Sequence, residues 1–297
     1  MLVLFKDNIK GSVFMMGCMA AYASNDALMK LVFLQLGFFQ AIFLRGLVTI
    51  LLLSIIVILR HEFHFRISAR NKIMLALRTI GEIGATFCFL GALAHMPLAN
   101  ATAIMQSVPL VITLAAAIFL GETVGWRRWL SILIGFVGVL MIVRPGMEEF
   151  NVWSLLTLLA VVLVVLRDLA TRELTAEASA SFTSLIAAIV LTIMSLLLLP
   201  VSDWNPLILE SFSLLTGAAG ILIFGYLFSI MAMRVGEISF ISPFRYSILL
   251  FSIFFGAVIF DEYPDTWTLI GSAIIITTGL YTIHRENRHR LGNATSG

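Results

Sequence analysis

Ten apolar runs, most of them about twenty residues long, leave this chain few folds to choose from. They fall at roughly 11–33, 38–59, 73–94, 98–120, 129–143, 152–171, 179–200, 211–233, 238–260 and 266–284. About 20 apolar residues in a helix cross the ~30 Å hydrocarbon layer of a bilayer. The long runs lack the polar–apolar alternation of a barrel strand, and within lipid a helix satisfies its own backbone hydrogen bonds. The spacing therefore predicts an all-α integral membrane protein with ten transmembrane helices. Composition agrees: of 297 residues, 60% are hydrophobic and 12% charged, against about 25% charged in a soluble domain.

The basic residues orient these spans. With the amino terminus on the cytoplasmic side, thirteen Lys and Arg fall on that side, and only Lys30 and Arg144 on the other. Basic flanks are retained in the cytoplasm, so both termini are expected inside. Glu148, Glu149, Asp203, Asp261, Glu262 and Asp265 then belong to the outer loops. The first run continues past Gly11 without a cleavage site, so no removable signal peptide is expected. Cys18 and Cys88 lie inside apolar runs and read as buried free thiols.

The plan of the chain is written twice. The run from Leu98 to Leu120 closes at Gly121-Glu122, and Trp126 opens the next; Ile238 to Phe260 closes at Asp261-Glu262, and Trp267 opens the next. Asp26 precedes Lys30 by four residues, and Asp168 precedes Arg172 by four. The offsets are 142 at the aspartates, 140 at Glu122 and Glu262, and 141 at the tryptophans. Five spans per copy force the second to enter from the opposite side, which gives two inverted five-helix repeats, 1–146 and 147–297.

An ionisable group deep in a span costs roughly 2.5–3.5 kcal/mol on insertion scales, so each one needs a reason. Asp26, Lys30, Asp168 and Arg172 are either self-neutralised pairs at helix ends or gates at opposite mouths. Arg78 and Glu82 share a helix face four residues apart; they form a packing ion pair, or Glu82 faces a cavity and takes a cation or a coupling proton. Arg45 and Arg245 suit a carboxylate or phosphate, with a helix–helix contact as the plain alternative. Pro109 and Pro243 should kink the fourth and ninth spans, and Asn100, Thr102, Gln106 and Ser107 supply uncharged polar groups on the fourth. Gly81, Gly84, Gly91, Gly135, Gly138, Gly217 and Gly220 read as close helix contacts. His61 and His64 share a basic loop with no other ligands nearby and read as solvated, not metal-binding.

These landmarks resemble the EamA-type ten-span carriers of the drug/metabolite transporter superfamily over essentially the whole chain. The resemblance is carried by Ser24-Asn25-Asp26 through Lys30, Phe43-Leu44-Arg45-Gly46, Met96-Pro97-Leu98-Ala99, Pro109, Gly121-Glu122, Arg128-Trp129 and Arg144-Pro145. In the second half, Pro243-Phe244-Arg245-Tyr246 and Glu262-Tyr263-Pro264-Asp265 carry it. Within that superfamily the chain is similar to S-adenosylmethionine uptake transporters and riboflavin importers. The resemblance implies inverted bundles around a central cavity in a bacterial inner membrane, working by alternating access, and it transfers no established ligand residue.

The expected activity is secondary transport of a small organic metabolite, with S-adenosylmethionine as the named candidate. Riboflavin uptake and amino-acid or drug export are the alternatives on the same fold, and a membrane scaffold without transport is the alternative from another class. Arg45, Arg78, Glu82, Gln106, Arg245 and Tyr246 are the candidate cavity residues. No phosphate-binding glycine loop, zinc signature or catalytic cluster is found, so no enzyme activity, cofactor, metal or nucleic-acid partner is expected. The expected partners are the solute, a coupling proton and the bilayer. The glycine faces would serve contacts within one chain or in a homodimer equally well.

Overall fold

A computed structural model describes residues 2–60, 68–119, 126–145, 151–174, 179–201, 204–235 and 238–294. His61, His64, Glu122, Glu148, Glu149 and Asp203 lie outside the described residues, as does the side chain of Arg172. Twelve helices follow one another: α1 Leu2–Phe33, α2 Phe38–Leu59, α3 Ala69–Leu93, α4 Leu98–Met105, α5 Val108–Phe119, α6 Trp126–Val143, α7 Trp153–Arg172, α8 Ala180–Leu198, α9 Leu209–Val235, α10 Ile238–Ile241, α11 Ser247–Phe260 and α12 Thr266–Ala294. No strand occurs among the described residues, so the all-helical class expected from the sequence holds.

Among the described residues, seven helical segments are long and apolar enough to cross a membrane, and Trp129–Val143 is a shorter apolar helix. The seven do not include α1 or α12. Several helix ends lie outside the apolar runs. Ser68 accepts a hydrogen bond from the Asn71 N–H at 3.4 Å, which starts α3 four residues before its apolar run. Intrahelical bonding does not need apolar side chains, so α1 and α12 also extend past theirs.

The fourth and ninth apolar runs are each interrupted. The fourth divides into α4 and α5 around Gln106 and Ser107, just before Pro109; the ninth divides into α10, a 3₁₀ turn Ser242–Tyr246 holding Pro243, and α11. Proline has no N–H to return to the carbonyl four residues back, so the α ladder breaks there. Asp261 then ends α11 at φ 54°, a left-handed cap that aspartate tolerates, with the Glu262 N–H bonded to the Gly256 carbonyl at 2.9 Å.

Helices from the two halves pack against each other: α1 with α9 and α11, α7 with α3, α4 and α5, α2 with α8, α4 with α11, and α6 with α12. The α6–α12 crossing brings backbone against backbone. A Cβ on Gly138 would stand 2.8 Å from the Gly271 carbonyl oxygen, and one on Gly271 would stand 2.6 Å from that of Gly138. Gly81 likewise abuts the α7 backbone at Leu163 and Arg167. Gly217 and Gly220 depart from expectation: the first would meet only Leu28 at 3.8 Å, and the second nothing within 4 Å. Glycine spacing permits close approach without requiring it, and this face of α9 is only loosely covered.

Leu51 and Ile55 on α2 and Phe254 and Val258 on α11 are exposed, as lipid-facing residues must be. Trp126 at one end, and Trp204, Tyr263 and Trp267 at the other, are exposed in the manner of interfacial anchors. The main core, with Met29, Val32, Leu93, Leu98, Ile104 and Leu215 almost wholly buried, fills the half of the bundle near Lys30. Cys18 is buried as expected, whereas Cys88 is only half-buried.

Candidate functional site

The half of the bundle away from that core is hollow. Its space forms two lobes, of about 260 Å³ and about 560 Å³, which share Asn25, Asp26, Phe89, Met105 and Arg167 among their walls. Small-molecule sites run to roughly 300–1,000 Å³, so the space suits a metabolite. Arg45, Arg78 and Glu82 line the smaller lobe, and Gln106, Arg245 and Tyr246 line the larger. Pro109 lies in the wall of the larger lobe, and Ser242 and Tyr246 bring in the second helix break.

The charges do not pair at the four-residue helical spacing. Glu82 does not pair with Arg78: its Oε2 accepts from Arg167 Nη1 of α7 at 3.3 Å. Arg78 turns to α8, where it donates to the Thr183 carbonyl at 3.4 Å and Ser184 Oγ at 3.5 Å. Ser184 in turn lies 3.2 Å from the Tyr226 hydroxyl. Arg167 also donates through Nε to Asp168 at 2.9 Å. Arg45 Nη1 donates to Asn25 Oδ1 at a long 3.5 Å, and Asn25 Nδ2 donates to Asp26 Oδ1 at 3.0 Å. Sequence reasoning singled out neither Asn25 nor Arg167 as a site residue. Arg167 did carry a signal, since it is a basic residue within a span.

Tyr246 reaches the cavity wall because of a glycine on the facing helix. A Cβ on Gly279 of α12 would stand 1.8 Å from the Tyr246 hydroxyl. With hydrogen at that position, the ring packs against α12 while Tyr246 lines the larger lobe.

The end of the bundle beyond the core is sealed by polar contacts between the two halves. Lys30, at the end of α1, pairs with Glu262 and donates to the Met96 carbonyl at 2.9 Å. It therefore does not pair with Asp26 four residues before it, as the helical spacing had suggested. Glu262 Oε2 also accepts from the Leu98 N–H at 2.9 Å, holding the start of α4. Arg144 pairs with Asp265. Gln40, fully buried, exchanges two hydrogen bonds with the Asn205 backbone at 2.6 and 3.0 Å. His95 stacks on Trp153 with ring centroids 3.9 Å apart. At the opposite end, among the described residues, Arg70 pairs with Glu173 on the surface at 2.6 Å.

Asp265 lies in the turn before α12, and its carboxyl is held below its ordinary value. Burial pushes it up, but the Thr268 N–H at 2.7 Å and the Arg144 guanidinium outweigh that.

Residues 9–144 match the EamA-like transporter family. That half of the chain is an EamA-like transporter domain. The domain contributes Asp26, Arg45, Arg78 and Glu82 to the cavity, and Lys30 to the seal. Relatives align well beyond it. The S-adenosylmethionine uptake transporter of Rickettsia conorii is 28% identical over 276 residues, covering 90% of each chain. The pseudopaline exporter CntI of Pseudomonas aeruginosa is 27% identical, covering 86% of this chain and 89% of its own. The riboflavin transporter of Vibrio cholerae is 29% identical over 67% of both. A crystal structure of a protein 16% identical to this chain shares the fold, with a TM-score of 0.55 over 94% of this chain and 97% of that one.

Proposed function

We propose that this small-molecule transporter is a secondary carrier built from two inverted five-helix halves, and that it works by alternating access. The observation that carries the reading is a metabolite-sized, charge-lined cavity at one end of the bundle, with the other end closed by Lys30, Glu262, Arg144 and Asp265. The helix pairing supports the inverted repeat. Exchanging the first five apolar runs for the last five returns the same partners: α1–α9 becomes α7–α3, while α2–α8, α4–α11 and α6–α12 map onto themselves. The Asn25–Asp26 bond and the Arg167–Asp168 bond, 142 residues apart, are a matching pair of side-chain contacts. A pseudo-two-fold axis between the halves accounts for both.

In this reading ten spans cross the bacterial inner membrane with both termini in the cytoplasm. The sealed end faces the periplasm, and the cavity belongs to the inward-facing state. Lys30 and Glu262 form the outer gate. Glu82 and Arg45 offer opposite charges to the solute. A membrane scaffold would have no use for seven charged side chains around a hollow.

S-adenosylmethionine is the favoured solute, because the relatives of that name align over 90% of both chains and the riboflavin transporters over less. Uptake into proteoliposomes from a panel of S-adenosylmethionine, riboflavin and amino acids tests the reading. Saturable flux of the first, competed by itself and not by riboflavin, is expected. A panel with no saturable flux would sink carriage altogether.

A further inference from the structure

Asn25 sits between an acid and a base in an unusual way. It is 95% buried, with 5% relative exposure. Its Oδ1 accepts from the Arg45 guanidinium at 3.5 Å, and its Nδ2 donates to the Asp26 carboxylate at 3.0 Å. All three residues line the smaller lobe, and Asn25 and Asp26 also line the larger. An amide offers the arginine an acceptor and the aspartate a donor. The carboxylate and ammonium of an α-amino acid head offer the same two groups, each carrying a full charge. The amide's bonds have one charged partner each; the head supplies the second charge, which adds direct attraction to each contact.

The opposite half sharpens the point. At the matching position Arg167 bonds Asp168 directly at 2.9 Å and also reaches Glu82, so those charges already satisfy one another. Asp26 has a neutral donor in that place. Arg45, which carries five N–H donors, makes one long side-chain contact with that same amide. The residue 142 positions after Arg45 is Ala187, which lines the same lobe without a charge. One half therefore holds a closed ion pair, and the other holds an acid and a base kept apart by an amide.

We propose that the Asp26–Arg45 pair is the binding site for a zwitterionic amino-acid head, and that Asn25 is an internal stand-in which this head displaces. The solute's ammonium takes the place of Asn25 Nδ2 at Asp26, and its carboxylate takes the place of Asn25 Oδ1 at Arg45. The remainder of the solute projects from the shared wall into the larger lobe, against Phe89 and Tyr246. This rests on the transporter reading only in treating the cavity as a solute site. It narrows the solute class to molecules with an ammonium and a carboxylate on one carbon.

The test is equilibrium binding to the purified full chain in nanodiscs. The probes are S-adenosylmethionine, L-methionine, L-arginine and L-phenylalanine, each beside its carboxylate-free amine: decarboxylated S-adenosylmethionine, 3-(methylthio)propylamine, agmatine and phenethylamine. At least one zwitterion should bind about 10-fold or more tighter than its amine, the worth of one charge-assisted contact. Asn25→Ala removes the competitor and should tighten that zwitterion by about 3–10-fold, since the amide's two hydrogen bonds to charged groups no longer have to be broken. Asn25→Ser is the second variant should the alanine form fail to fold, with the same direction expected. If no zwitterion outbinds its amine, or if both variants weaken binding, the proposal is overturned. Flux separates this from the transporter reading. Selective zwitterion binding without flux leaves the head site standing and removes the carrier, whereas saturable flux without zwitterion preference does the reverse.

Discussion

Glu82 and Arg167 meet across the two halves of the molecule, with the α3 carboxylate 3.3 Å from the α7 guanidinium. Each side chain is 28% exposed and not sealed in the core, so the pair can be rearranged by a solute without a large desolvation cost. Replacing Glu82 by Gln removes the acid, keeps the shape and leaves Arg167 with Asp168. Saturable uptake should fall by about 10-fold or more if Glu82 holds a cation or carries a proton, with a modest loss of thermal stability. Proton-driven uptake that is unchanged in the variant would show that Glu82 does neither.

Lys30→Ala should loosen the sealed end. It frees Glu262 and the Met96 carbonyl together, and removing one partner of a partly buried pair shifts a two-state equilibrium by about 5–30-fold per 1–2 kcal/mol. The reporter is Asn100→Cys, in the wall of a small void beside Arg144, in a background where Cys18 and Cys88 are serine. Labelling by an impermeant maleimide from the sealed side should rise by a similar factor. An unchanged labelling rate would mean that Lys30 is not part of the barrier. Exchanging the charges, Lys30→Glu with Glu262→Lys, should restore closure only in part, because the Leu98 N–H loses its acceptor.

Gly138→Ala and Gly271→Ala should each destabilise the α6–α12 crossing by about 1–3 kcal/mol, since the new methyl meets backbone that cannot step aside. Gly220→Ala is the control. Nothing lies within 4 Å of its Cβ position, and replacing glycine within a helix stabilises by about 0.5–1 kcal/mol. Melting temperatures of the three variants in one detergent decide this, and equal losses would mean that helix crossing is not what these glycines serve.

The Arg144–Asp265 contact makes stability depend on pH in a definite direction. The carboxyl of Asp265 is lowered in the folded protein, so its stabilisation is present above the ordinary aspartate value of about 3.9 and lost as pH falls through the lowered one. The side chain is 47% exposed, so solvent screening limits the effect to about 1 kcal/mol or less. Thermal melts of the protein and of Asp265→Asn should differ at pH 6 and converge as pH falls through the lowered value of Asp265. A difference that grows on acidification would reverse the assignment.

Much of the cavity was legible before any coordinates. Arg45, Arg78, Glu82, Gln106, Arg245 and Tyr246 stand out as polar groups in apolar runs, and all six line the two lobes. Pro109 and Pro243 mark the helix interruptions for a reason local to their own rings. The bilayer makes this possible, because it sets a cost on each buried polar residue wherever the chain later places it.

What the chain's order left undecided was partnership. Helical spacing put Lys30 beside Asp26 and Glu82 beside Arg78, and the fold gave Lys30 to Glu262 and Glu82 to Arg167 instead. It likewise left Gly217 in loose contact with Leu28 and Gly220 facing open space, while bringing Gly138 onto Gly271. A 3.6-residue repeat says which side chains share a face, but ion pairs and backbone contacts form over a few ångströms. Which helix stands opposite that face is settled only when the two halves pack.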